Sequence, residues 1–191
     1  MRARALRKGL GRALRTGLLC SLAWLGSSQA QSAPPAALTT VASLDVPRYM
    51  GTWYEIAKYP NFFQRKCVRQ TQAQYSLLPT GEVRVLNRCR TEDGEWIEAD
   101  GLARQIGGAS SARLKVRFAP QWLSFLPLVW GDYWVVALDP HYQWVLVSEP
   151  RREYLWVLAR TPTLPEATLQ ALHGQLAGMG FDLQRLQPTP Q

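Results

Sequence analysis

Cysteine and histidine are the side chains of this sequence best suited to nucleophilic or metal chemistry, and both are scarce. The chain has three cysteines and two histidines, His141 and His173, among 191 residues. Neither histidine has a nucleophile or a further metal ligand at motif spacing, and the sequence contains neither a GxSxG nor an HExxH pattern. We therefore expect no catalytic residue, no metal site and no cofactor.

Cys67 and Cys89 remain as a pair if the N-terminal segment that holds Cys20 is removed during export. Their spacing is too long for a CxxC redox motif, and no His/Cys cluster lies nearby to complete a zinc site. An even number of cysteines in an exported protein favours a disulfide, so we predict a bond between Cys67 and Cys89. Two separate buried thiols are the alternative.

The first thirty residues have the pattern of a secretory signal peptide. They carry six basic residues and no acidic one, and their apolar run at 16–26 is too short to span a bilayer comfortably. Small residues at Ser28 and Ala30 predict cleavage after Ala30, and an uncleaved anchor helix is the alternative. Large residues, Leu18 and Leu19, precede Cys20, so we expect no covalent lipid anchor there.

The predicted organisation of the chain follows from this N-terminal segment. We expect a signal peptide at 1–30, a flexible linker at 31–43, one domain at 44–187 and a short tail at 188–191. The chain has 22 basic residues, and without the six of the signal peptide 16 remain against 14 acidic ones. A nearly balanced charge removes the main argument for nucleic-acid binding, so we expect no nucleic acid as a partner.

Eight segments show the alternation and flanking turn residues of β-strands, and short connections join them. The segments are 51–59, 68–77, 82–90, 94–105, 112–118, 132–138, 143–148 and 153–160. In the first hairpin, Leu77 facing Val83 would place both cysteines on one face, with a bulge or bend needed to bring them together. We predict an all-β, antiparallel up-and-down barrel of eight strands.

A helix is expected after the last strand. Thr163-Leu164-Pro165-Glu166 has the pattern of a capping box, and the helix would run to about Met179 with Gly180 after it. Its leucine stripe would pack on the outside of the barrel, with His173 on the solvated face. If Trp53 begins at the bottom of the barrel, the loops at 61–63, 91–93, 120–131 and 149–152 lie at the top.

Four segments together resemble the lipocalin family. They are GTWYEIA at 51–57, AQYSL at 73–77, GDYWVVALD at 131–139 and YLWVLARTP at 154–162. The resemblance is greatest to the bacterial lipocalin Blc group, which has apolipoprotein D and the temperature-induced lipocalins as relatives. It implies a barrel that binds small apolar molecules, with Trp53 filling the floor and Arg160 packing over it. The Blc group is associated with fatty acids and lysophospholipids in maintenance of the bacterial envelope.

The candidate site has two parts. Strand alternation makes five aromatic side chains candidates for lining the cavity, namely Tyr75, Trp96, Tyr133, Trp134 and Trp156, although parity alone does not say which of them face inward. An unusually apolar loop at 121–130 lies at the predicted mouth, where we expect contact with lipid, ligand or another chain. The mouth and membrane-contact candidates are Phe62, Phe63, Trp122, Phe125, Leu126, Trp130, Arg151 and Arg152. The alternatives are that the loop folds over the mouth as a lid or packs on its own barrel, and that the two arginines are a solvated charge pair.

The resemblance and the site together predict an exported, non-enzymatic carrier or store of fatty acids or lysophospholipids. It would act in the periplasm during envelope stress and would contact a membrane peripherally. Whether it associates with the outer membrane stays open at this point. One alternative is a lipocalin-fold enzyme with a cysteine nucleophile in the cavity, which needs a free thiol. The other is an interaction module that uses the apolar loop, for example to form a homodimer.

Overall fold

The structure is a computed structural model that describes residues 36–191. A short helix, α1 (Val46–Tyr49), precedes eight main strands, and a longer helix, α2 (Glu166–Gly178), follows them. The strands are β1 (Gly51–Lys58), β2 (Arg69–Leu77), β3 (Val83–Arg90), β4 (Trp96–Gln105), β5 (Arg113–Arg117), β6 (Gly131–Leu138), β7 (Trp144–Ser148) and β8 (Leu155–Ala159), with a short β9 (Gln187–Pro188) near the C-terminus.

The eight main strands close into the predicted antiparallel barrel. Each strand from β2 to β7 pairs with the next one, and β1 pairs with both β8 and β2. The β1–β2 register sets Trp53 opposite Ala73, while the first hairpin sets Leu77 opposite Val83 as expected. The connections therefore alternate between the two ends of the barrel, and the loop that holds residues 121–130 lies at the end opposite Trp53.

Strand alternation divides the apolar side chains into two clusters. Val145 and Val147 of β7 point into the barrel, where they belong to the cluster around Trp53. Leu146, between them, points outward into a second cluster with Leu172 of α2. The wall formed by β7 and β8 is therefore buried on both faces, as their nearly continuous apolar sequences require.

Helix α2 packs on the outside of the barrel as predicted. Leu172 and Leu176 are its buried residues. The predicted capping box does not form, because Pro165 occupies the N-cap position and has no side chain that could accept a hydrogen bond. At the other end Gly180 adopts a φ of +80°, and Phe181 N–H donates to Leu176 O to close the helix in a Schellman motif. Neither helix in residues 36–191 is long and apolar enough to cross a membrane.

Both ends of the described chain pack on the barrel. Part of the predicted linker is held in place, since Leu38 is buried and Val41 N–H donates to Val135 O. The predicted tail is also ordered, because β9 pairs with the upper part of β1 and Thr189 N–H donates to Ile56 O. The upper part of β1 diverges from β2, and the C-terminal residues satisfy the backbone groups that this divergence leaves unpaired.

Candidate ligand-binding site

The lower end of the barrel is closed by an aromatic ring and a guanidinium group. Trp53 is fully buried, and the Arg160 guanidinium lies 3.8 Å from the centre of its ring. Arg160 donates to Thr52 O and Arg48 O, both at 2.9 Å. Burial lowers the pKa of Arg160 below its ordinary value. Gly51 has a φ of +96°, and a Cβ there would lie 3.3 Å from Arg160 Nη1, so a side chain would strain the floor.

Helix α1 adds a second layer to this floor. Asp45 caps the helix by accepting a hydrogen bond from Arg48 N–H, and its own N–H donates to the Tyr142 hydroxyl of the β6–β7 turn. Tyr49, at the end of the helix, turns into the barrel and packs on Trp53 with ring centres 5.0 Å apart. The floor is therefore a structural closure that leaves Tyr49 as its upper surface.

Above this floor lies a cavity of about 780 Å³. Its wall is mostly apolar, and all eight main strands contribute residues to it. Three of the five predicted lining aromatics, Tyr75, Tyr133 and Trp156, lie in this wall. The cavity opens at the end where the apolar loop lies, since Phe118, Ala119 and Val129 border it there. Its volume and its mostly apolar wall suit one small apolar molecule that enters from the open end.

Trp96 and Trp134 do not line the cavity, so the structure corrects their assignment. Trp96 is 40% exposed, and Arg90 lies 4.4 Å above its ring on the outer face of the barrel. Trp134 packs in the outer cluster beneath Arg113. Their neighbours Ile97 and Tyr133 have the inward parity and line the cavity instead. Either parity puts aromatic side chains inside, so composition could not decide between them.

Three tyrosine hydroxyl groups meet at the bottom of the cavity, and we call Tyr49, Tyr75 and Tyr133 the tyrosine cluster. The hydroxyl of Tyr133 lies 2.7 Å from that of Tyr49 and 3.2 Å from that of Tyr75. Burial raises the pKa of all three phenols well above the ordinary value, so they are neutral. Sequence reasoning missed Tyr49 because strand parity does not apply to a residue on α1.

A second polar group in the cavity wall centres on Glu55, which is only 2% exposed. Its carboxylate accepts hydrogen bonds from Lys58 Nζ, Gln64 Nε2 and Thr189 Oγ1 at 2.6–2.7 Å. Gln64 in turn accepts a hydrogen bond from Trp156 Nε1 at 3.0 Å. A buried carboxylate needs such partners, and here a cation and two neutral donors satisfy it. A β-bulge after Glu55 turns Lys58 inward beside it, and the alternation rule gave no sign of this.

The predicted disulfide between Cys67 and Cys89 is confirmed, with a Cα–Cα distance of 5.4 Å. The bulge or bend predicted in the first strand of the hairpin, β2, is also present. The register shifts between Arg69 and Gln72, and Gln70 has a φ of 52°. Both sulfur-bearing residues lie in the cavity wall, but neither offers a thiol. Within residues 36–191 the cysteine-nucleophile alternative therefore has no nucleophile. Cys20 and the predicted signal peptide lie outside the described residues.

The apolar loop at 121–130 presents large side chains to solvent. Trp122 and Phe125 are 72% and 74% exposed, and Leu126 is 38% exposed. Phe62, also 72% exposed, and Phe63 border the same mouth from the β1–β2 connection, where Phe63 packs on Tyr154 and Trp156. Phe62 and Phe63 line the opening itself, whereas Trp122, Phe125 and Leu126 are exposed on the loop that reaches the cavity through Val129.

Trp130 differs from the other mouth candidates because it anchors the loop. It is 9% exposed, and the guanidinium groups of Arg104 and Arg117 lie over its ring, 4.2 and 5.3 Å from the ring centre. Its Nε1 donates to Ser124 O, and Arg117 donates to Ala119 O and Gln121 Oε1. Trp130 is therefore not free to contact a membrane, but it fixes the backbone from which Trp122 and Phe125 project.

The two arginines of the β7–β8 loop have different roles. Arg152 donates to Met179 O and Ala36 O, so its guanidinium ties the helix end and the N-terminal segment to the barrel. Arg151 is exposed and pairs with Glu153 at 3.1 Å. Of the two, only Arg151 keeps an exposed guanidinium group.

Comparison with known proteins agrees with this geometry. Residues 44–191 match a family model described as a lipocalin-like domain. The chain is 39% identical to temperature-induced lipocalin-1 of Arabidopsis thaliana, with 81% of this chain and 83% of the relative aligned. It is likewise 39% identical to the outer membrane lipoprotein Blc of Escherichia coli strain K12, covering 80% and 82% of the two chains. Apolipoprotein D of Mus musculus is 32% identical, with 78% of each chain covered.

Solved structures share the fold at lower sequence identity. Insecticyanin from the tobacco hornworm Manduca sexta superposes with a TM-score of 0.63 at 17% identity, over 81% of this chain and 84% of that one. The cockroach allergen Per a 4 gives a TM-score of 0.60 at 18% identity, over 80% and 92%. The family model, the curated relatives and the closed barrel lead to one conclusion: the chain belongs to the lipocalin family.

Proposed function

We propose that this protein binds and carries or stores a single-chain lipid, a fatty acid or a lysophospholipid, in its barrel cavity. Lipocalins bind small hydrophobic ligands, and most are binding or transport proteins. The observation that supports the lipid proposal here is the apolar cavity of about 780 Å³, closed below by Trp53 and Arg160 and open above. The curated relatives named as Blc lipoproteins and apolipoprotein D support a lipid ligand as well.

The energetics favour an acyl chain. Each buried methylene contributes about 0.8 kcal/mol, while immobilisation of the ligand costs several kcal/mol. A long chain therefore reaches micromolar affinity or better once most of its methylenes are buried. Because an unpaired ionised headgroup is costly to bury, the chain enters first and the headgroup stays in water at the mouth, near Phe62 and Arg151.

A cavity-filling substitution tests the binding site. Ala99 on β4 lies in the cavity wall and is exposed to the open space, so Ala99→Trp adds an indole ring there without overpacking a buried core. We expect the affinity of delipidated protein for palmitate and for lysophosphatidylcholine to fall at least about tenfold, because part of the chain loses its apolar contacts. Isothermal titration calorimetry measures both affinities.

Ser76→Trp is the matched control for this experiment. Ser76 is exposed on the outer face of β2 and does not line the cavity, so the same bulky side chain there should leave both affinities unchanged. Equal binding by a folded Ala99→Trp variant would refute the proposal that the barrel cavity is the lipid site.

We also propose export of the chain, with removal of residues 1–30, and a role in maintaining bacterial envelope lipids under stress. The Cys67–Cys89 bond supports an oxidising compartment such as the periplasm. The E. coli relative is named as an outer membrane lipoprotein, whereas the residues before Cys20 do not suit lipidation. N-terminal sequencing of protein recovered from the envelope tests this, since a mature chain that retains the segment before Ala30 would contradict it.

The mouth supports peripheral contact with a lipid surface during loading. Phe62 lines the opening, Trp122 and Phe125 are exposed on the loop that borders it through Val129, and Arg65 and Lys66 follow the phenylalanines with exposed cationic groups. Aromatic side chains beside basic ones suit the interface of an anionic membrane. Docking there would bring a lipid chain directly to the cavity.

A double substitution at the mouth tests this contact. Trp122→Ser with Phe125→Ser removes two aromatic rings, each worth roughly 2 kcal/mol when buried in a lipid interface. We expect sedimentation with phosphatidylethanolamine/phosphatidylglycerol vesicles to show at least about a tenfold weaker association. The control is Leu77→Ser with Ile106→Ser, which removes two side chains of 46% and 40% exposure at the closed end and should not change association.

Two results would reject membrane contact at this loop. One is unchanged vesicle association of the folded double variant. The other is a concentration-dependent dimer in size-exclusion chromatography that the same substitutions dissociate, because the loop would then bind a second copy of the chain.

A further inference from the structure

We propose that the tyrosine cluster is a hydrogen-bonding subsite for an uncharged oxygen atom on the buried end of the ligand. The preferred cargo would then be an oxygenated acyl chain, such as a hydroxy or oxo fatty acid, rather than a plain hydrocarbon chain. This inference rests on the proposed lipid-binding function and specifies its ligand. It starts from the position of Tyr49, Tyr75 and Tyr133 at the inner end of a mostly apolar pocket, on the floor and away from the Glu55 group near the upper part of β1.

Counting hydrogen bonds shows that the cluster has capacity to spare. Each phenol supplies one O–H donor and can also accept. The three hydroxyls make two O···O contacts, from Tyr133 to Tyr49 and from Tyr133 to Tyr75, and these use two of the three protons. One O–H proton and several lone pairs therefore remain for a molecule in the cavity. An alkyl terminus would leave them unsatisfied, which is costly in a buried site.

The cluster suits a neutral oxygen and disfavours an anion. Burial is the largest cause of the raised pKa of all three phenols, and the same desolvation would oppose a carboxylate beside them. Arg160 lies below the floor, but its guanidinium covers Trp53 and its donors bind the backbone oxygens of Thr52, Arg48 and Tyr142. It therefore gives no direct contact to a ligand, while its charge polarises the hydroxyls above it.

The rings are held in position before any ligand arrives. Tyr49 stacks on Tyr75 with ring centres 5.7 Å apart, and Tyr75 meets Tyr133 edge to face at 6.4 Å. Trp53 Nε1 donates to Tyr49 O at 2.8 Å, which ties the cluster to the buried floor. Donors fixed in this way bind an acceptor without a further cost in side-chain ordering.

The test compares ligands that differ by one hydroxyl group. Calorimetry on delipidated protein compares the affinities for palmitate and 16-hydroxypalmitate. The corresponding 12- and 14-carbon pairs are included because the depth of the cavity decides which chain length brings the hydroxyl group to the tyrosine cluster. For the wild type we expect at least one ω-hydroxy acid to bind as tightly as its parent or more tightly. Tyr133→Phe removes the shared hydroxyl. In this variant the affinity for that hydroxy acid should fall about tenfold relative to the affinity for its parent acid, which is the effect of one buried hydrogen bond.

Tyr54→Phe is the matched control, because Tyr54 lies on β1 outside the cavity lining and its variant should preserve the wild-type ratio. If both acids of every pair bind but Tyr133→Phe leaves the hydroxy-to-parent ratio unchanged, the inference fails while lipid binding stands. An equal loss for parent and hydroxy acids would place the carboxylate at the floor and also overturn the inference. If no acid binds the wild type, the proposed function fails with it.

Discussion

Trp53→Ala is expected to lower the free energy of unfolding by about 3–5 kcal/mol, the cost of truncating a fully buried tryptophan. The ring is completely buried, it carries the Arg160 guanidinium on one side, and its Nε1 donates to Tyr49 O. Removing it leaves a void at the floor and exposes the underside of the tyrosine cluster. For a domain of this size the melting temperature should fall by roughly 10 °C, which differential scanning calorimetry measures.

Trp122→Ala provides the comparison for this substitution. Trp122 is 72% exposed, so the same truncation should change the unfolding free energy by less than about 0.5 kcal/mol. If both variants lost the same stability, the assignment of Trp53 as the closing residue of the barrel would be wrong.

Replacing both Cys67 and Cys89 by serine is expected to lower the free energy of unfolding by about 3 kcal/mol. The bond joins residues separated by 22 positions, and on the chain-entropy model a loop of that length restricts the unfolded state by about this amount. It also joins the upper ends of β2 and β3 beside the bulge at Gln70. Urea denaturation of the wild type and the double variant measures the difference.

A reductant separates the bond from the side chains. Dithiothreitol should lower the urea midpoint of the wild type towards that of the double variant and leave the variant itself unchanged. A wild-type midpoint that does not respond, with reduction verified by thiol titration, would show that the crosslink does not stabilise the barrel.

The barrel and its floor were predictable because their signals are local or regularly spaced. Alternation of period two and short turn sequences give eight strands, and an up-and-down path returns Arg160, which directly follows the last strand, to the end of the barrel where Trp53 of the first strand lies. The disulfide followed from the even number of cysteines, and even the need for a bulge in β2 could be stated from the hairpin register. These features depend on sequence separation and parity alone.

The polar features of the cavity depend on irregularities that parity cannot express. The bulge after Glu55 turns Lys58 inward, α1 brings Tyr49 into the barrel, and the C-terminal residues reach Glu55 through Thr189. The prediction that Trp96 and Trp134 line the cavity was wrong for a related reason. Both the inner and the outer face of this barrel carry aromatic rings. Only the closed register decides which set a ligand meets.

The two apolar clusters divide the barrel wall into a part that is buried on both faces and a part that is buried only on its inner face. Strands β7 and β8 are buried on both faces, inside by the cavity cluster and outside by α2, whereas β3 and β4 present exposed polar side chains such as Arg84 and Asp100 to water. Because the first half is covered on both faces and the second is one layer thick, we expect slower amide hydrogen exchange in β7 and β8 than in β3 and β4. If the cavity adjusts to ligands of different width, we expect β3 and β4 to move and the helix-backed strands β7 and β8 to keep their positions.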